Sequence, residues 1–112
     1  MSEETWYYDV VGVTFEGRQQ ILNDFYKNYK VGGFHEVKLE CEPDNQYDQN
    51  AIGVHLDVGG SDFKQVGYIS RMDNVRLGNM LKTGKFKRAS LCSMGPNSKG
   101  ELGLKIQAVF DK

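Results

Sequence analysis

Two hydrophobic periods share this chain. Val37, Leu39 and Cys41 alternate with Lys38, Glu40 and Glu42. Ile52, Val54, Leu56 and Val58 repeat the alternation, as do Leu102, Leu104, Ile106, Ala108 and Phe110. Successive side chains of a strand point to opposite faces, so each run predicts a half-buried strand. Aromatic and β-branched residues dominate Trp6 to Phe15 and predict a first strand, with looser alternation. Gly12 within it signals a bulge or a close backbone approach. Phe63 to Ile69 follows the turn-forming Gly59-Gly60-Ser61-Asp62 and is expected to pair back. Lys87 to Met94 is joined to the last strand by Gly95-Pro96-Asn97-Ser98-Lys99-Gly100.

The period changes twice. Ile21, Leu22, Phe25, Tyr26 and Tyr29 lie at helical spacing, which predicts a helix over residues 18–30 stopped by Gly32-Gly33. Its aromatic stripe is expected to be core. A second helix is expected after Ser70, with Ser70 and Asp73 making a capping-box-like start. Val75, Leu77, Met80 and Leu81 form its apolar face, and it ends near Thr83-Gly84. Gly78 weakens it. The result is mainly β with two helices, about six short strands, and no βαβ rhythm. A small, partly open β-barrel gives such strands a common interior and few free edges. Residues 1–7 are expected to be a flexible leader and the start of the first strand, and residues 8–112 a single domain.

Between the runs Phe34–Cys41 and Ala51–Val58 lies Glu42-Pro43-Asp44-Asn45-Gln46-Tyr47-Asp48-Gln49-Asn50. Asp and Asn side chains accept from backbone amides a few residues on and so build turns. Pro43 removes a donor and restricts its neighbour. Pro43, Asp44 and Asn50 are therefore expected to structure an ordered loop that carries Tyr47.

The chain has 112 residues, 39% hydrophobic and 26% charged, with a formal charge of −1. That size suits one domain. No apolar run approaches a membrane span and no secretory signal opens the chain, so a cytoplasmic address is expected. Cys41 and Cys92 are expected to be reduced thiols. Charge is uneven along the chain. Residues 1–62 carry a balance of −8, and residues 64–88 one of +6. Such a field can steer a polyanion, unless folding mixes the charges again.

No catalytic, metal or cofactor pattern is present. His35 and His55 lack ligand-spaced partners, and the glycines make no nucleotide-binding motif. Asp44 and Asp48 are more simply turn formers than magnesium ligands. Single-strand binders combine aromatic platforms with a basic track. Tyr47, Tyr68, Arg71 and Arg18 supply candidates, with Asn45 and Asp48 available to base edges or a sugar hydroxyl.

Several runs together are similar to the HIRAN domain family. They are Val10-Val11-Gly12-Val13, Gly17-Arg18-Gln19, Val37 through Ile52, and Val66-Gly67-Tyr68-Ile69-Ser70-Arg71. The resemblance covers roughly residues 8–110. It implies an OB-like or SH3-like modified barrel and a non-catalytic DNA-binding module that recognises single-stranded DNA or its 3′ end. Tyr47 would then stack on the terminal nucleotide, Asp48 would lie near the 3′ hydroxyl, and Asn45 would bind or shape the pocket. Tyr68 and Arg71 would form the opposite wall, with Arg71 facing phosphate. Arg18 resembles the arginine of the bacterial pattern. A helicase or nuclease partner is a further implication. Two departures stand out: Thr14-Phe15 replaces the arginine–aromatic pair of the DNA-capturing eukaryotic relatives, and the helix from Arg18 is longer than their connection. A protein-interaction role for that helix is the second class of function left open.

Overall fold

The computed structural model describes residues 2–29 and 33–112. Its elements run β1 (Glu3–Val11), α1 (Arg18–Tyr26), β2 (Glu36–Cys41), β3 (Ile52–Asp57), β4 (Phe63–Ile69), α2 (Asn74–Lys82), β5 (Phe86–Pro96) and β6 (Leu102–Asp111). The strands form one antiparallel barrel in the order β1-β4-β3-β2-β5-β6, with β6 returning to β1. It is mainly β with two helices, as the periodicities predict. The ring is closed where the strand pattern suggested a partly open one.

Closure depends on the N-terminal segment. Glu3 to Asp9 pair residue by residue with Asp111 to Lys105. The first strand thus begins at Glu3, within the expected leader, and ends at Val11, four residues before Phe15. A latch holds its start. Lys87 Nζ lies 2.9 Å from a Glu3 carboxylate oxygen, and Arg88 Nη2 3.3 Å from the other. These partners, Lys87 before Arg88, lower the Glu3 pKa below its usual range. Opposite charge favours an ionised carboxyl. The latch reaches across β6 to join acidic Glu3 of β1 to two cations of β5, so the charges separated along the sequence are paired at this point.

The alternating residues meet inside. Val37, Ile52, Val54, Leu56, Val66, Ile69, Leu104, Ile106 and Phe110 are all buried. Each such side chain contributes about 1.5–3 kcal/mol by leaving water. Leu22 of α1 and Leu77 of α2 are fully buried and join the same core cluster. Phe25 and Tyr29 pack against the core as expected, while Tyr26 faces outward. The ring of His35 meets Phe25 edge-on at 5.1 Å. Helix α1 ends at Tyr26, short of the expected residue 30. Lys30 and Gly32 lie outside the described residues.

Two expectations for α2 fail locally. Its N-cap is Asp73, whose side chain makes no capping bond. Ser70 instead accepts on its backbone oxygen from the amides of Asp73 and Asn74, making a turn before the helix. Val75 points to solvent, leaving Leu77, Met80 and Leu81 to face the core.

The start of α1 is tied down by Gln19. Its Nε2 donates to the carbonyls of Val13 and Leu102 at 3.0 and 2.8 Å, and its Oε1 accepts from the Leu102 amide at 2.8 Å. A primary amide carries both donor and acceptor, so it pairs with a strand end as another peptide would. This fixes the stretch between β1 and α1, which forms one wall of the cleft described next.

Candidate nucleic-acid interface

A cleft of about 780 Å³ opens between the end of β1, the loop after β2 and the start of α2. All six proposed binding residues line it: Arg18, Asn45, Tyr47, Asp48, Tyr68 and Arg71. The sequence places them up to 53 positions apart, from Arg18 to Arg71. The fold gathers them because β1 and β4 meet only at their ends, with Val10 opposite Ile69 and Val11 opposite Tyr68. Gly67 permits that meeting. A Cβ there would run into the Val11 carbonyl oxygen and lie 2.6 Å from Val10 Cγ1.

The loop after β2 is built from its own side chains. Asn45 Oδ1 accepts from the amides of Tyr47 and Asp48 at 2.9 and 3.1 Å. Asn45 Nδ2 donates to Glu42 Oε1 at 3.0 Å. Tyr68 donates its hydroxyl to the same oxygen at 3.1 Å. Asp48 Oδ1 accepts from the Asn50 amide at 2.9 Å. Asn45 therefore shapes the bend, and Asn50 serves it through backbone alone. The side chain of Asp44 makes no hydrogen bond among the described residues, so the expected structuring role passes to Asn45 and Asp48. Their carboxamide and carboxylate oxygens are the ones that face the following amides.

Two bonds dock this loop onto the start of α2. Arg71 Nη2 donates to the Tyr47 carbonyl at 3.0 Å. Asn74 Nδ2 donates to Asp48 Oδ2 at 2.8 Å. Arg71 Nε also lies 3.6 Å from Asp48 Oδ2. The Asp48 carboxyl is held below its usual pKa, first by the Asn50 amide, then by the Asn74 side chain and more weakly by the charge of Arg71. It is ionised at neutral pH.

The result is a fixed backbone that displays a free ring. Tyr47 is 79% exposed. Arg71 keeps 73% of its side chain in solvent despite its bond to the loop. Phe15, 66% exposed, lines the same cleft. Phe15 follows the Thr14 that departs from the eukaryotic pattern, so an aromatic group is retained at this wall.

Arg18 behaves differently from its expected role. It is only 6% exposed. Its Nη1 donates to the Gly12 carbonyl at 2.8 Å, and its Nη2 pairs with Glu16 at 3.1 Å. Its guanidinium also sits over the Tyr68 ring, 5.2 Å from the centroid. Arg18 thus braces the cleft floor, with Nη1 and Nη2 each engaged in a bond to the chain. Gly12, at φ 73°, gives the left-handed turn that brings its carbonyl to Arg18.

Two contributors escaped the sequence reading: Glu42 and Asn74. Glu42 reads as the wet end of a strand, and Asn74 is not singled out. Among the described residues, no group of three or more His, Cys, Asp or Glu side chains is arranged to hold a metal ion. Among the described residues no helix is long and apolar enough to cross a membrane. Cys41 and Cys92 are free thiols at the surface.

The model of the HIRAN domain family matches residues 4–110. The chain belongs to the HIRAN domain family. HIRAN domains are in general DNA-binding modules and are not catalytic by themselves. Two solved structures share the fold. A protein from Lactobacillus plantarum is 23% identical with a TM-score of 0.59, the match covering 98% of this chain and 100% of that one. The HIRAN domain of human HLTF is 19% identical with a TM-score of 0.59, covering 95% of this chain and 74% of that one. No match was found among curated proteins.

Proposed function

We propose that this HIRAN domain binds single-stranded DNA and captures its 3′ end in the cleft. The observation that carries the reading is the exposed Tyr47 ring on a bonded loop, with Arg71 and Asp48 beside it. Tyr47 stacks on the terminal base, a contact worth about 1–3 kcal/mol. Arg71 turns from the Tyr47 carbonyl toward a phosphate, contributing about 1.5–3 kcal/mol as a charge-assisted bond. Ionised Asp48 accepts from the 3′ hydroxyl and repels a 3′ phosphate. Asn45 and Tyr68 shape the walls through Glu42, and Arg18 supports the floor. Such a module has no turnover of its own and would serve a helicase or nuclease that processes ends.

Fluorescence-anisotropy titrations of oligonucleotides ending in 3′ hydroxyl or 3′ phosphate test the reading. Tighter binding of the hydroxyl end is expected, weakening as salt rises. Equal affinity for both ends removes end capture. Loss of binding in Tyr47→Ala with an unchanged melting temperature is the second expected result.

A further inference from the structure

We infer that Asn74 is the positioning residue for Asp48, holding its carboxylate in the orientation that receives a 3′ hydroxyl; the inference rests on the end-capture reading above. Asn74 is 3% exposed and is the first residue of α2. Its Nδ2 reaches Asp48 Oδ2 at 2.8 Å across 26 residues of sequence. Both residues line the cleft.

The partners of Asp48 divide into two kinds. The Asn50 amide belongs to the same loop and moves with it. It sets the local turn, and does not fix the loop against the barrel. Arg71 and Asn74 come from the other wall. Arg71 is mostly in solvent and sits 3.6 Å from the carboxylate, beyond direct hydrogen-bond distance. It is the group free to follow a phosphate. When it does, its hold on the loop is given up. Asn74 is enclosed and cannot follow a ligand. It remains the one side-chain bond from α2 to Asp48 in the bound state. A bound hydroxyl is recognised only if its acceptor stays within a few tenths of an ångström, and that is the service of such a supporting amide.

The charged groups lining the cleft are Glu16, Arg18, Asp48 and Arg71, with Asp73 next to Asn74 in sequence. Glu16 is paired with Arg18 on the floor. Asn74 is therefore the neutral donor in a charged setting, and its replacement by a carboxyl group makes a sharp test. In Asn74→Asp, two carboxyl groups would face each other where an amide and a carboxylate now meet. Such a pair shares one proton and titrates as a unit. With the proton present the new group donates to Asp48 as the amide did. Without it the two repel.

The experiment measures the ratio of affinities for a 3′-hydroxyl oligonucleotide and its 3′-dideoxy counterpart, from pH 5 to pH 8, in the full chain. The wild type is expected to prefer the hydroxyl end with a ratio flat over this range. Asn74→Ala is expected to lose about tenfold of that ratio while binding dideoxy ends normally, the size of one bond to a charged group. Asn74→Asp is expected to keep the ratio near pH 5 and lose it toward pH 8. A ratio unchanged in Asn74→Ala, or a parallel weakening of both ends, overturns the inference while leaving end capture standing. So does a pH-independent ratio in Asn74→Asp. If Asn74→Ala does not fold, Asn74→Asp decides alone, because its two states are compared within one protein. No hydroxyl preference in the wild type overturns the end-capture reading and this inference with it.

Discussion

Arg71 donates to the carbonyl of Tyr47 at 3.0 Å. The cation of one wall thus grips the backbone beneath the aromatic ring of the other. Arg71→Ala is expected to weaken single-stranded DNA binding by about tenfold and to reduce the slope of log affinity against log salt by about one phosphate's worth. The domain's stability should change by less than about 1 kcal/mol, since the side chain is largely exposed. Titrations at three salt concentrations, with a thermal melt, check both.

Asn45 serves the bend at three points, accepting from two amides and donating to Glu42. Asn45→Ala leaves those amides to water and Glu42 with Tyr68 as its remaining side-chain donor. A stability loss of about 1–2 kcal/mol is expected from the missing bonds. Amide exchange at Tyr47 and Asp48 should accelerate while the barrel strands stay protected. Unchanged exchange at those two amides would show that the loop is held by other means.

Gly67 has no room for a side chain against Val10 and Val11. Gly67→Ala must push β1 from β4, where only two residue pairs join them. A cost of about 1–3 kcal/mol is expected, as for other overpacked sites. Because the same junction sets the cleft wall, DNA affinity should fall as well. A melt and one titration measure both losses.

The depressed pKa of Asp48 gives its contribution to stability a definite sign. A carboxyl whose folded pKa lies below its unfolded value stabilises the fold fully above the unfolded value. That contribution is lost as pH falls through the folded one. Asp48→Asn is therefore expected to be less stable than wild type at pH 6 and to approach it below about pH 4. Glu3 titrates in the same direction in both proteins, so the difference between their melting curves isolates Asp48. A difference that stays constant down to pH 2.5 would contradict the assignment.

The strands were legible because their faces differ. Leu102, Leu104, Ile106, Ala108 and Phe110 alternate without interruption, and all are buried. The organising loop was legible because its turn formers act on near neighbours. What sequence hid was long-range pairing. Glu3 looked like part of a polar leader, and only the return of β5 gives it Lys87 and Arg88. Arg18 carried the right chemistry for phosphate, but Gly12, Glu16 and Tyr68 reach it first. Asn74 and Glu42 depended on partners 26 residues away. No local pattern announces such a bond.

Glu3 stands opposite Asp111, so the start of β1 and the end of β6 lie together at one pole of the barrel. The other end of β1 borders the cleft at Val11. Eight residue steps along a strand span about 26 Å. A fluorophore or surface tether joined at either extremity would accordingly stand a full strand's length from the Tyr47 ring, and the opening would remain free for nucleic acid to approach.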